Sequence, residues 1–408
     1  MEYKIFWCKV NKYYVNQWLN HFDSEFSDNE HTLLVATCVV TDRAKNKRLK
    51  DVKKTLQDGK EVYITWCGTL ERGQVISDSV FYSVYPELKK YQSEIHILGE
   101  APLSEQWQVT SDQWKKNIYT KKFVVIQNGC DNYCTFCLTV KKRGKHRSRP
   151  LEEIVDEIKQ FEQSWGKEIV ITWINLAAWW CSDSKKPEES KFPFLLQEIL
   201  KQTTIPRIRI SSLWPEYLND EFFDVIRDPR ILPHFHLSIQ SFSDHVLKLM
   251  KRNYSAEYLQ NVLKKFPKHI SVWADLIVGF PWESEEDFQE TLHGVREFNI
   301  TKVHGFPFSE HAKGETVPAS VFEWQIARGI KIQRNKRLLQ IADEMRNEFV
   351  KKNIGKKHKV LIENFKDGVW RWRTENYIHV WLKGEFKRWD IVDVVLVKNM
   401  ILKDSWES

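Results

Sequence analysis

The chain reads as an α/β protein in three consecutive parts: a small parallel α/β domain, a partial (β/α)6 barrel, and a small C-terminal β-barrel. Three observations predict this order. Residues 1 to about 112 alternate apolar strand-like runs with helical patterns. From Phe123 a longer series of six strand and helix candidates begins. From Lys357 the pattern changes to short alternating strands with no helix between them. Alternation of the first two kinds predicts parallel sheets with right-handed crossovers. The third predicts a five-stranded barrel of the kind that handles oligonucleotides.

The 408 residues are enough for two or three domains with cores of their own. Hydrophobic residues at 42% and charged residues at 29% describe an ordinary globular chain. No apolar run reaches bilayer length and the N-terminus lacks a basic-then-apolar pattern, so no membrane partner and a cytoplasmic location are expected. Net charge is +7, unevenly placed. Lys141 to Arg149 carries six basic residues and no acid, and Lys331 to Lys359 carries ten basic against three acidic. That bias favours a polyanion, RNA before membrane. A solvated helix face explains the second run equally well.

In the first domain, residues 1–112, strands are predicted at Tyr3–Phe6, His31–Ala36 and Glu61–Thr65, with helices at Lys12–Phe22 and Asp42–Leu56 and Asp42 as N-cap. A polar linker follows over Glu105–Lys122. The second domain, 113–345, has strands at Phe123–Ile126, Glu168–Ile174, Ile208–Ser212, Phe235–Ile239, Ser271–Val278 and Thr301–Phe308. Helices are expected between them at 151–164, 191–202, 215–226, 244–250, 256–266 and 285–298. Lys331–Lys351 reads as a long basic connecting helix. In the third, 346–408, strands are expected at 359–363, 376–380 and 390–397.

Cysteine placement carries the chemistry. Cys130-Asp-Asn-Tyr-Cys134-Thr-Phe-Cys137 puts three thiols in one loop just after a predicted strand. Thiolates that close hold one soft metal centre, iron–sulfur or zinc. A four-iron cube on three cysteines keeps one iron open to a non-protein ligand. A zinc knuckle completed by His146 is the alternative, although closed zinc sites usually pair two ligand clusters. Cys8, Cys38 and Cys67 each fall at the C-terminal end of a predicted strand, where open α/β sheets form ligand sites. Neighbouring strands would gather them into a second three-thiolate site. Cys181 has no partner by spacing and reads as a bystander. Seven cysteines in so long a chain do not make a disulfide scaffold.

With these residues in view, the chain resembles the radical S-adenosylmethionine (SAM) methylthiotransferases from end to end. The C-x3-C-x2-C spacing is that of radical-SAM enzymes. Arg147-Ser-Arg-Pro150, Arg209-Ile-Ser-Ser212, His236-Leu-Ser-Ile-Gln-Ser-Phe-Ser-Asp244, and Asp275-Leu-Ile-Val-Gly-Phe-Pro281 with Glu283 match further motifs. The resemblance implies a methylthiotransferase N-terminal domain, a radical-SAM barrel and an OB-like TRAM RNA-binding domain. It implies two 4Fe–4S clusters: one on Cys130, Cys134 and Cys137 that also chelates SAM, and an auxiliary one on Cys8, Cys38 and Cys67. It further implies cleavage of SAM to a 5′-deoxyadenosyl radical, hydrogen abstraction at C2 of an adenine, and transfer of a methylthio group there. A tRNA anticodon loop, an electron donor such as flavodoxin or ferredoxin, and a monomeric state come with it.

Cys8-Lys-Val-Asn11 and Thr374-Glu-Asn-Tyr-Ile378 resemble the branch acting on N6-threonylcarbamoyladenosine at tRNA position 37. Branches acting on isopentenyladenosine or on a ribosomal-protein aspartate are alternatives, as is a non-catalytic RNA-binding metalloprotein. Asn175, Ser212, Gln240 and Asp275, at or near predicted strand ends, are candidate SAM contacts, with structural hydrogen bonding as the other reading. His234, His236 and His304 read as packed or hydrogen-bonded.

Two departures from the family pattern stand out. Thr139-Val-Lys-Lys142 replaces an apolar-Pro-Tyr turn. Trp7, Trp66, Trp173, Trp273, Trp282 and Trp389 stand at glycine-like positions, with Trp179 or Trp180 and Trp372 as further cases, in a chain with 18 tryptophans and 15 glycines. Glycine there would permit positive φ or close backbone approach. One explanation is a source that reads UGA as glycine. The other is aromatics that stack RNA bases.

Overall fold

Alternating apolar runs at the N-terminus build a four-stranded parallel sheet in the computed structural model, which describes residues 2–5, 9–22, 32–37, 41–99, 120–183, 185–311, 316–366 and 368–402. Its strands are β1 (Glu2–Ile5), β2 (Thr32–Thr37), β3 (Glu61–Trp66) and β6 (Ile95–Ile97), in the order β1-β2-β3-β6. Helices α1 (Lys9–Phe22) and α2 (Asp42–Gln57) connect the first three. Helix α2 is capped by Thr41 and not by the expected Asp42: Thr41 is extended and its hydroxyl accepts from the Ala44 N–H at 3.2 Å. A hairpin, β4 (Leu70–Glu71) with β5 (Gln74–Val75), and α3 (Asp78–Val84) fill a stretch for which the sequence predicts no element. Trp7, Cys8, Cys38 and the predicted linker core lie outside the described residues.

The barrel starts with β7 (Lys122–Val125) and the short β8 (Gln127–Asn128), followed by α4 (Thr139–Arg143), β9 (Arg147–Ser148) and α5 (Leu151–Gln163). Then come β10 (Glu168–Thr172), α6 (Phe192–Gln202), β11 (Arg207–Ile210), α7 (Asp220–Val225), β12 (His234–Gln240), α8 (Asp244–Leu249), α9 (Ala256–Lys264), β13 (Ser271–Val278), α10 (Glu285–Glu297) and β14 (Lys302–Pro307). Two parallel three-stranded sheets, β11-β10-β7 and β12-β13-β14, are joined by single bridges Ile208↔Ile231 and Leu213↔Leu237. No pairing returns β14 to β7 among the described residues, so six strands form an open barrel. Strands β7, β10, β11 and β12 are buried at every residue, as a parallel sheet covered on both faces requires. The helix predicted over 215–226 is instead a 3-10 turn at Pro215–Tyr217 and then α7, because Asn219 is extended and caps Phe222.

The long basic helix α11 (Arg328–Asn353) does more than connect. Its Leu338, Ile341 and Ala342 join the main core with Val303 of β14, closing the side of the barrel. Five C-terminal strands follow: β15 (Lys357–Leu361), β16 (Asn364–Lys366), β17 (Val369–Arg373), β18 (His379–Leu382) and β19 (Ile391–Val395). They form two antiparallel sheets, β15-β19 and β16-β17-β18, around Val360, Ile362, Trp372, Ile378, Val380 and Leu396.

This module covers the N-terminal ends of the barrel strands. Arg207 and Arg209, from β11, donate to the carbonyls of Lys359, Thr374 and Glu375. The Tyr377 ring stacks on His234 at 4.2 Å and meets Trp273 edge-on at 4.8 Å. Among the described residues, no helix is long and apolar enough to cross a membrane.

Candidate functional site

The loop bearing Cys130, Cys134 and Cys137 leaves β8 at the opposite, C-terminal end of the barrel. Gly129 makes the turn possible: at φ +71° a Cβ there would sit 1.8 Å from the Lys145 carbonyl oxygen. The loop is tied to its surroundings largely through Thr135 and backbone groups. Thr135 N–H donates to Met250 O at 3.3 Å and its hydroxyl to Leu249 O at 2.8 Å. Ala319 N–H donates to Thr135 O at 2.8 Å, and Cys130 N–H to Gly144 O at 3.2 Å. Cys130 and Cys134 are 4% and 5% exposed, Cys137 half-buried, and all three are free thiols.

Burial raises the Cys130 thiol strongly and pushes Cys134 up to about 11, although Arg252 beside it pulls the other way. Arg252 Nη1 lies 3.6 Å from Cys134 Sγ, and its guanidinium sits 3.8 Å from the Trp214 ring centre. Next to it is Glu216, 6% exposed, whose two carboxylate oxygens have no hydrogen-bond partner and whose pKa burial raises. No motif in the sequence marks Arg252, Glu216 or Trp214; Pro-Glu-Tyr217 after a strand end is the one local trace of them.

A single zinc ion needs sulfurs gathered around bonds of about 2.3 Å. Among the described residues the trio whose ligand atoms converge that closely is His236, Asp275 and His304, not the loop cysteines. His146 donates its backbone N–H to Asp131 and pairs its ring with the Ser148 hydroxyl at 3.2 Å. Three free thiols offered from one loop, two buried and one half-buried, suit the four-iron cube.

Cys67 follows β3 and is buried against the same region. Arg143, the last residue of α4, donates to Cys67 Sγ from Nε at 3.2 Å and from Nη2 at 2.7 Å. The β4–β5 hairpin locks onto α4 as well: Arg72 N–H donates to Lys141 O at 2.7 Å and Gly73 N–H to Lys142 O at 2.9 Å. The end of β3 and the loop cysteines thus flank one short helix. Sheet order puts β2, which precedes Cys38, beside β3, and β1, which precedes Cys8, on the far side of β2.

The other candidate positions separate. Asn175 is fully buried, gives its Nδ2 to the Tyr217 hydroxyl at 3.1 Å and leaves Oδ1 without a partner. Ser212 and Gln240 stand just past β11 and at the end of β12 in the left-handed region, φ +37° and +71°, so their backbones are shaped for the rim. Asp275 lies mid-strand in β13 and accepts from His236 Nε2 at 2.8 Å and His304 Nδ1 at 3.2 Å. Burial alone would raise its carboxyl, but the two imidazoles hold it well below the usual range. Cys181 is buried and its thiol pushed up to about 12, by burial first and Glu189 second. Trp173 is fully buried and gives its indole N–H to Gly129 O at 3.0 Å.

The Radical SAM superfamily profile matches residues 124–294, the span from the first barrel strand to α10. The threonylcarbamoyladenosine tRNA methylthiotransferase MtaB of Rickettsia prowazekii is 30% identical over 405 residues, covering 93% of this chain and 90% of that protein. The chain belongs to the radical-SAM methylthiotransferases. MtaB of Bacillus subtilis is 28% identical over 92% of this chain and 89% of that protein. The tRNA-2-methylthio-N(6)-dimethylallyladenosine synthase of Aquifex aeolicus is 35% identical over 71% of this chain and 66% of that protein. A radical-SAM methylthiotransferase is an enzyme that works with two 4Fe–4S clusters and SAM, and the three free thiols of the Cys130–Cys137 loop fit the demand of one of them.

Proposed function

We propose that this methylthiotransferase acts on tRNA and adds a methylthio group to C2 of N6-threonylcarbamoyladenosine at position 37. The observation that carries the reading is the meeting of Cys67 with the helix that leaves the Cys130–Cys137 loop. Cys130, Cys134 and Cys137 would hold the cluster that takes SAM, and Cys8, Cys38 and Cys67 the auxiliary cluster. When bound, these groups supply one-electron reduction, a carbon radical and the methylthio group.

The chain's own residues prepare the site. Arg252 sets a fixed positive charge beside Cys134, which favours its thiolate form. The apolar core of the barrel, with Val124, Val170, Leu237 and Leu276 in it, keeps bulk solvent out of the interior. Ser212, Gln240 and the buried Asn175 offer polar atoms near the strand ends for SAM, and the exposed Lys141, Lys145, Arg147, Lys336, Lys351 and Lys352 offer cations for RNA phosphates.

Threonylcarbamoyladenosine is favoured over dimethylallyladenosine because relatives named for the former align over 92–93% of the chain, against 70–86% for relatives named for the latter. Cys8-Lys-Val-Asn11 supports the same choice. The test is expression in a bacterium lacking its own enzymes of both kinds, with mass spectrometry of nucleosides from digested tRNA. The expected product is the 2-methylthio derivative of threonylcarbamoyladenosine. The corresponding dimethylallyl product alone would overturn the substrate, and neither product with both clusters loaded would overturn tRNA.

A further inference from the structure

We propose that Arg143 is a positioning residue that ties the two metal sites together by hydrogen-bonding the sulfur of the auxiliary site. This rests on the two-cluster reading above. Two N–H groups of one guanidinium reach Cys67 Sγ, at 3.2 and 2.7 Å, from a side chain that is itself buried. Such a fork is pre-organised, and charged donors make the stronger hydrogen bonds.

Its backbone cannot drift from the first site. Arg143 ends α4, six residues after Cys137, and the next residue, Gly144, accepts from the Cys130 N–H. From the other side, the hairpin after Cys67 is bonded to the carbonyls of Lys141 and Lys142. A Cβ on Gly144 would fall 2.8 Å from Arg72 O, so the two chain segments touch backbone to backbone. Arg143 therefore fixes where the Cys67 sulfur points relative to the Cys130 loop. Hydrogen bonds to cluster sulfurs also set the reduction potential, by stabilising the more negative reduced state.

The test uses the full chain with Cys130, Cys134 and Cys137 changed to alanine, so that only the auxiliary cluster remains. Its midpoint potential is read with Arg143, with Arg143→Lys and with Arg143→Met. Arg143→Met is expected to make reduction about tenfold less favourable, a shift of about 59 mV downward for one electron, with part of it restored by Arg143→Lys. Equal potentials in all three, at equal iron content, would overturn the role of Arg143 and leave the two-cluster reading standing. A parent protein that takes up neither iron nor sulfide would overturn both.

An independent observation concerns residue identity. Among the described residues, twelve non-glycine residues have positive φ, and four are tryptophans: Trp165 (+64°), Trp180 (+65°), Trp282 (+69°) and Trp389 (+83°). For so bulky a residue this region is a genuine outlier. Each sits where a known turn demands glycine. Trp165 follows the C-cap of α5, with Trp165 N–H on Glu162 O and Gly166 N–H on Phe161 O, the Schellman pattern whose left-handed residue is usually glycine. Trp180 is third in the turn Ala178–Cys181, after Trp179 at φ −54°, ψ 127°, which is type II geometry. Trp282 is third in Phe280–Glu283 after Pro281, and Trp389 third in Lys387–Asp390.

We infer that these four residues are glycine in the protein as its source makes it, inserted at UGA codons that are rendered here as tryptophan. Trp173 and Trp273, buried and without positive φ, do not share this signature. Sequencing the gene and mass spectrometry of peptides from the native organism decide it. UGA codons with glycine in the peptides are expected. UGG codons, or tryptophan in the native peptides, would overturn it. In the chain as given, changing all four to glycine is expected to raise the melting temperature, and a fall would count against the turn argument.

Discussion

Replacing Cys130, Cys134 and Cys137 together by alanine is expected to abolish SAM cleavage while leaving about half the iron. Two reconstituted four-iron clusters hold about eight irons per chain, and the triple variant should retain about four, with matching sulfide. The loop should keep its place, because Thr135 is bonded to Leu249, Met250 and Ala319 through groups the substitutions do not touch. The reciprocal variant, lacking Cys8, Cys38 and Cys67, should cleave SAM at an undiminished rate but transfer no methylthio group. Iron and acid-labile sulfide assays with a SAM-cleavage assay check both. Zinc in place of sulfide in the parent protein would end the radical-enzyme reading.

The second large effect is structural. Glu168 begins β10 and is buried, with one carboxylate oxygen on Arg207 Nε at 2.8 Å and the other on Arg209 Nε at 2.8 Å. Those arginines carry the C-terminal module on their remaining N–H groups. Removing the carboxylate strands two buried guanidinium groups, so Glu168→Ala should cost about 3–5 kcal/mol. Burial alone would raise the Glu168 pKa, but Arg209 and then Arg207 bring it far below the ordinary value. A depressed carboxyl contributes stability that is complete above the unfolded pKa of about 4.3 and is lost as pH falls toward the folded value. Urea unfolding between pH 7 and pH 3 should therefore show a steeper decline in the parent protein than in Glu168→Gln, which keeps the other depressed carboxyls such as Asp275. Parallel curves for the two would refute the assignment.

Two motifs turn out to have a role that their spacing did not suggest. Arg209-Ile-Ser-Ser212 and Thr374-Glu-Asn-Tyr-Ile378 lie far apart in the chain, and each reads as a site signature. Folding joins them: Arg209 donates to the Thr374 and Glu375 carbonyls and lies 4.7 Å from the Tyr377 ring centre. The arginine of the first motif is thus docking machinery, and Ser212 stands past the other end of the strand. Asp275 behaves likewise, since its carboxylate is committed to His236 and His304.

Local pattern was enough, by itself, for the six barrel strands and the loop of three cysteines. Strand and helix periodicity is written in neighbouring residues, and a ligand loop of eight residues needs no tertiary information to be recognised. Even the anomalous tryptophans were visible in the composition, although Trp165 was found only through its φ. What the sequence could not contain is which distant groups meet. Arg143 on Cys67, Arg252 on Cys134 and the unpartnered Glu216 beside them come from segments with no shared period or motif. Their meeting is decided by how the sheets close and how α4 is trapped between the hairpin and the barrel. Long-range electrostatics of that kind depends on distance in space, and only the fold sets that distance.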